Sequence, residues 1–120
     1  MKVAVTSQGP DLNSRVAPRF GRARHFLIVD ATSGAFTVHD NSGNLGTAHT
    51  AGMQAAGAVV SLGVGAVITG SIGPKAFATL EAGNIEVYTA ASGTVEDAVE
   101  KLKAGRLEPA QRANMQEHWK

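Results

Sequence analysis

The apolar period of this chain changes once, near Thr47, and that change restricts the fold more than any single residue does. Before it come three strand-like runs. Val3-Ala4-Val5 is short and ends at Ser7-Gln8-Gly9-Pro10; His25 to Asp30 is longer; Ala35 to Asp40 alternates with period two and returns from the turn Thr32-Ser33-Gly34 as the edge arm of a hairpin. After it, Met53, Ala56, Gly57 and Val60 recur at helical spacing, with Thr47 as N-cap and Gly63 just past the end. A strand at Ala66 to Thr69 and a turn at Gly70-Ser71-Ile72-Gly73 follow, and Pro74 opens a helix that stops at Gly83. A strand at Ile85 to Tyr88 leads to a last helix opening at Thr94, with Asp97 as capping-box partner and Gly105 as the stop. Its apolar stripe is Val95, Ala98, Val99 and Leu102.

The order β-β-β-α-β-α-β-α reads as an antiparallel hairpin feeding a parallel βαβαβ half. Right-handed crossovers place strands 66–69 and 85–88 beside strand 3–6, giving a five-stranded mixed α/β sheet with helices on both faces. Ligands of such sheets bind at the carboxyl ends of the strands, where the strand order reverses. That rim collects the turn after Ser7, the Gly70–Gly73 turn and the Ala90–Gly93 turn. At 120 residues the chain suits one domain, read as residues 1–108 with a polar tail over 109–120 that holds Met115 and Trp119. No apolar run is long enough for a membrane span, and the run opening the sequence is too short for a signal peptide. The expected address is cytoplasmic.

Charge is distributed unevenly. Residues 1–25 carry Lys2 and four arginines against Asp11, a net of +4, whereas the remainder holds six basic against nine acidic residues, a net of −3. All four arginines (Arg15, Arg19, Arg22, Arg24) fall within ten residues of a loop rising from the rim. The overall net charge of +1 does not argue for nucleic acid, and an anion is the natural partner of the loop. The sequence has no cysteine, which excludes disulfides, thiolate zinc sites, thiol nucleophiles and Cys-ligated iron–sulfur clusters. A metal here must be held by His, carboxylate or backbone, or arrive as a preformed complex gripped without covalent ligands.

Three stretches can carry chemistry. The arginine loop offers permanently charged, forked donors to oxyanions or sulfide-rich anions; its plainer reading is a solvated surface run, with Arg24 facing solvent or pairing with Asp30. The Gly70–Gly73 turn can aim backbone N–H groups at an anion beside a helix N-terminus. It is neither a Walker loop nor a dinucleotide fingerprint, and its glycines also suit a tight βα turn. His49, at the first turn of the charge-poor helix, can ligate a metal or donate to an anion, or stand idle. No nuclease-like carboxylate group and no Ser/His/Asp arrangement is readable, so the chain looks like a binder and not an enzyme.

Several of these stretches together resemble the dinitrogenase iron–molybdenum cofactor biosynthesis family, the group around the NifX and NifB C-terminal type proteins. Phe20-Gly21-Arg22-Ala23 followed by Phe26, His49 after its loop, Gly70-x-x-Gly73 followed by Ala76, and Ser92-Gly93-Thr94-Val95-Glu96 carry the likeness over about residues 1–108. The resemblance implies a ribonuclease H-like fold and the carriage of an anionic metal–sulfur cluster. For a cysteine-free, arginine-rich member it implies a molybdenum–copper sulfide cluster, or another Mo/Fe–sulfur cluster, held without metal–protein bonds. The implied contacts are Arg15, Arg19, Phe20, Gly21, Arg22, His49, Gly70, Ser71, Ile72 and Gly73, with Phe20, Ile72 and Met53 as partial enclosure. Arg19 stands where members frequently have His, and Thr50 where they have Gly, which favours electrostatic capture over ligation by a histidine pair. A recipient or complex-forming protein is implied, and neither nucleic acid nor membrane. Two other readings stay open: a phosphate or nucleotide sensor, and a protein-interaction module using the arginine loop against an acidic partner.

Overall fold

The computed structural model describes residues 1–41 and 51–111. Five residues of β1 (Lys2–Ser7) are buried, as only a strand covered on both faces allows. It sits at the centre of a five-stranded sheet of order β3-β2-β1-β4-β5. β2 (His25–Asp30) lies antiparallel to β1, pairing Ser7 with His25 and Lys2 with Asp30, and β3 (Phe36–Asp40) lies antiparallel outside it. On the other side β4 (Ala66–Ile68) and β5 (Glu86–Tyr88) are parallel to β1. The hairpin-plus-βαβαβ order expected from the sequence is the one observed.

Alternation along the strands divides the core into two layers. Ala4, Phe26, Ile28, Val67 and Val87 face α1 (Ala51–Ser61) and α2 (Pro74–Ala82), meeting Ala55, Ala56, Val59, Phe77 and Leu80. Val3, Val5, Leu27, Val29 and Ile68 face α3 (Val95–Lys103), meeting Val95, Ala98 and Val99. Small residues let α1 and α2 approach: a Cβ on Gly52 would stand 3.5 Å from that of Ala76. The stop signals act as expected, with Gly63 and Gly105 at positive φ (+73° and +72°). Thr47, the expected N-cap of α1, lies outside the described residues.

Thr94 caps α3 in a complete capping box, accepting from Asp97 N–H at 3.1 Å while the Asp97 carboxylate accepts from Thr94 N–H at 3.3 Å. Thr94→Ala is therefore expected to cost about 1 kcal/mol, a fall of roughly 4 °C in Tm, read by thermal unfolding followed by circular dichroism.

Two features were not expected. Phe20–Arg22 forms a 3-10 turn that drives the Phe20 ring into the core, 5.4 Å from the Phe26 ring between centroids. Beyond α3 the chain remains joined to the sheet, because Ala110 N–H donates to Val87 O at 2.7 Å along the outer edge of β5. Among the described residues no helix is long and apolar enough to cross a membrane.

Candidate functional site: a guanidinium-lined cleft at the sheet rim

From Ser7 the chain doubles back along the end of β1. Gln8 N–H donates to Arg15 O (3.0 Å), and Ala17 N–H donates to Thr6 O (2.9 Å). The outer side of this loop is stitched to the β5–α3 turn. Val16 N–H reaches Gly93 O, and the carbonyls of Ser14 and Leu12 accept from Val95 and Glu96 at the start of α3. Arg15 is bridged to Thr94 there, so its backbone belongs to the α3 side of the rim.

The next residues cross to the Gly70 turn. Ser71 donates twice to Pro18 O, from its N–H at 2.8 Å and its hydroxyl at 2.9 Å, and Phe20 N–H donates to Ser71 O at 2.9 Å. Gly70 is required by this crossing: a Cβ there would lie 2.6 Å from Pro18 O and 2.9 Å from its Cα. Beneath the loop Thr6, buried at the end of β1, donates its hydroxyl to Ala17 O (3.0 Å) and shares a hydrogen bond with the Thr69 hydroxyl (2.9 Å).

The crossing opens a half-enclosed cleft of about 280 Å³ lined by Gln8, Ala17, Pro18, Arg19, Arg22 and Arg24. Three arginines thus share one concavity, and among the described residues no carboxylate lines it. The neighbouring helices are consistent with this sign of charge. Neither α1 nor α2 has an acidic residue in its first turn, and Gly73 gives α2 no side-chain cap, whereas α3 opens with Glu96 and Asp97. The positive pole of α2 is left without a carboxylate of its own. Backbone N–H groups of Thr32 and Ser33 hold Asp30 below the usual carboxylate range, and burial, followed by the Glu86 carboxylate, pushes the Tyr88 phenol up. A larger depression of about 710 Å³ between α2 and β5 carries Glu81 and Glu86, the wrong sign for an anion.

The residues singled out in the sequence separate on this frame. Arg19 and Arg22 share the cleft, with Gly21 between them in the 3-10 turn; Arg24, read from the sequence either as a further contact of the anion or as a solvent-facing residue, lines the cleft and is exposed. Arg15 does not line it. The side chains of Phe20 and Ile72 are core, 1% and 0% exposed, so they cannot enclose a ligand as expected. Ser71 has its N–H and hydroxyl engaged by Pro18 O, so the glycine turn serves as the buttress of the arginine loop instead of presenting that N–H to an anion. The reason is steric: removing the side chain at Gly70 lets Pro18, and not a ligand, approach. His49 lies outside the described residues, among which no group of three His, Cys, Asp or Glu could hold a metal ion. Gln8, Thr6 and Thr69 went unnoticed in the sequence; the signal for Thr6 is a hydroxyl at the buried end of an otherwise apolar strand.

Fold and site define a class: small mixed α/β domains bearing a basic cleft at the parallel rim. The sequence specifies further. Residues 1–105 match the family described as dinitrogenase iron-molybdenum cofactor, and the chain belongs to it. It is 32% identical over 111 residues to an uncharacterized protein of Methanocaldococcus jannaschii, covering 90% of each chain. Its structure is similar to the apo form of the orange protein from Desulfovibrio gigas, with 39% identity, TM-score 0.92, and coverage of 95% of this chain and 96% of that one. It is also similar to a putative NifB protein from Thermotoga, with 40% identity, TM-score 0.78, and coverage of 90% and 91%.

Proposed function

We propose that this protein is a non-enzymatic, cytoplasmic carrier that binds an anionic molybdenum-containing metal–sulfide cluster, a molybdenum–copper sulfide above all, and passes it to a partner protein. The carrying unit is residues 1–108, whose strand order supports a ribonuclease H-like assignment. One observation bears most of the weight: Arg19, Arg22 and Arg24 converge on one cleft that no carboxylate lines among the described residues, in a chain with no cysteine to offer a metal. Family membership and the likeness to the orange protein support the same reading.

Magnitudes constrain the mechanism. A sheltered charge-assisted hydrogen bond contributes about 1.5–3 kcal/mol, an exposed ion pair about 0.2–1 kcal/mol. All three guanidinium-bearing residues are exposed, and Phe20 and Ile72 give no cover. Shelter has to come from the cargo, which seats against the exposed Pro18 and displaces water from the guanidinium forks as it binds. Such binding is screened by salt and reversible, which suits an agent of transfer.

Titration of the protein with tetrathiomolybdate and copper, read by visible absorption, gel filtration and metal analysis, tests the proposal. A coloured species co-eluting with the protein at stoichiometric Mo and Cu is expected at low salt. It should be released near 1 M salt, where the screening length falls to about 3 Å. Absence of co-elution at low salt, with ATP raising the Tm instead, would replace this reading with a phosphate or nucleotide sensor.

A further inference from the structure

We infer that Thr6, backed by Thr69, is a positioning residue of the arginine cleft: its buried hydroxyl sets the register of Ala17-Pro18 and through it the placement of Arg19. The inference rests on the reading of the cleft as an anion site. Both threonines are 0% exposed, Thr6 in β1 and Thr69 just past the end of β4, at the rim where those two strands pair. Their hydroxyls form a chain that ends on the loop, Thr69 to Thr6 at 2.9 Å and Thr6 to Ala17 O at 3.0 Å. Each hydroxyl has one proton, so with Thr6 donating to the carbonyl, Thr69 supplies the proton between the two oxygens.

The need for this device follows from Pro18. The loop pairs with β1 through Ala17 N–H on Thr6 O, and the residue that follows, Pro18, has no N–H to donate to either strand. What Ala17 and Pro18 can still offer is carbonyls. The Thr6 hydroxyl takes the first and the Ser71 N–H and hydroxyl take the second. Two consecutive carbonyls immediately before Arg19 are thus tied to the end of β1 and to the β4–α2 turn, and the guanidinium that follows inherits their position. Packing alone would be met by valine, which has nearly the same shape and leaves Ala17 O without this donor.

The test compares Thr6→Val, Thr6→Ser and Thr69→Val for tetrathiomolybdate affinity at low salt, with circular dichroism and Tm measured alongside. Thr6→Val is expected to remain folded and to lose about tenfold in affinity. Thr6→Ser, which restores the donor, should return to within about twofold of the parent. Val99→Ala, a core truncation under α3, supplies a control that lowers Tm and should leave affinity unchanged. Parent-like affinity in folded Thr6→Val overturns the inference. So does an equal loss in Val99→Ala, because instability alone would then explain the effect. If Thr6→Val does not fold, Thr69→Val decides: a severalfold loss supports the positioning role, and parent-like affinity overturns it. A parent protein that binds no thiometallate sinks the carrier reading and this inference together, whereas a binding parent with an unaffected Thr6→Val sinks this one alone.

Discussion

Replacing Arg19 and Arg22 together with Ala is expected to weaken tetrathiomolybdate binding by about 10- to 100-fold, whereas Arg15→Ala changes it by no more than about threefold. The contrast is the informative part, because all three are exposed arginines of one loop. If binding followed net charge alone, each removal would count equally; the cleft assigns Arg19 and Arg22 to the site and omits Arg15. Two sheltered charge-assisted bonds would account for about 3–6 kcal/mol and two exposed pairs for about 0.4–2 kcal/mol; guanidinium forks sheltered only by the cargo fall between, at roughly 1.4–2.8 kcal/mol, which sets the range. Arg19→Lys keeps the charge and loses the fork, so it should fall between parent and alanine variant. Exposed side chains contribute little to folding, and the Tm of these variants should stay within a few degrees of the parent. Equal losses for Arg15→Ala and for the double variant, measured by visible titration at low salt, would remove the cleft from the account.

Gly70→Ala carries the second large effect. The added methyl meets Pro18 O at 2.6 Å, its Cα at 2.9 Å and its carbonyl carbon at 3.0 Å, and all three are backbone atoms that cannot swing aside. Either the strand end or the loop must move, at a cost of about 1–3 kcal/mol. Because the displaced segment leads directly into Arg19, anion affinity should fall with stability. Gly57→Ala is the counterpart: a Cβ there meets nothing within 4 Å, and an interior helical glycine replaced by alanine stabilises by roughly 0.5–1 kcal/mol. Urea unfolding of both variants, with thiometallate titration, checks the pair. A Gly70→Ala protein as stable and as tightly binding as the parent would show that the loop does not need its close approach to the β4–α2 turn.

Much of the fold was legible because its signals are local. The period-two run over β3, the capping box of Thr94 and Asp97, and the glycines at 63 and 105 each act through neighbouring residues; the spacing of Met53, Ala56 and Val60 marked the helix but not its buried face, which is Ala55, Ala56 and Val59, with Met53 and Val60 exposed. Handedness then left few ways to order five strands. The 3-10 turn at Phe20–Arg22 was hidden for the opposite reason. In a run of arginines, proline and glycine, nothing local shows that one aromatic ring will be drawn under the loop by Phe26.

Composition and periodicity by themselves determined that the chain is a mixed α/β domain with positive charge concentrated beside the β1 end and no thiolate to bind metal. Only the tertiary structure decided which arginines act together. Arg15 and Arg19 are four residues apart, yet one is bridged to Thr94 and the other to Ser71, at different corners of the rim. Arg24, for which the sequence left both the anion site and solvent open, lines the cleft and stays exposed. The physical reason is that charge is a property of residue type, while the convergence of charges depends on long-range backbone hydrogen bonds from Thr6, Ser71 and Gly93, whose partners lie from about ten to nearly eighty residues away in sequence.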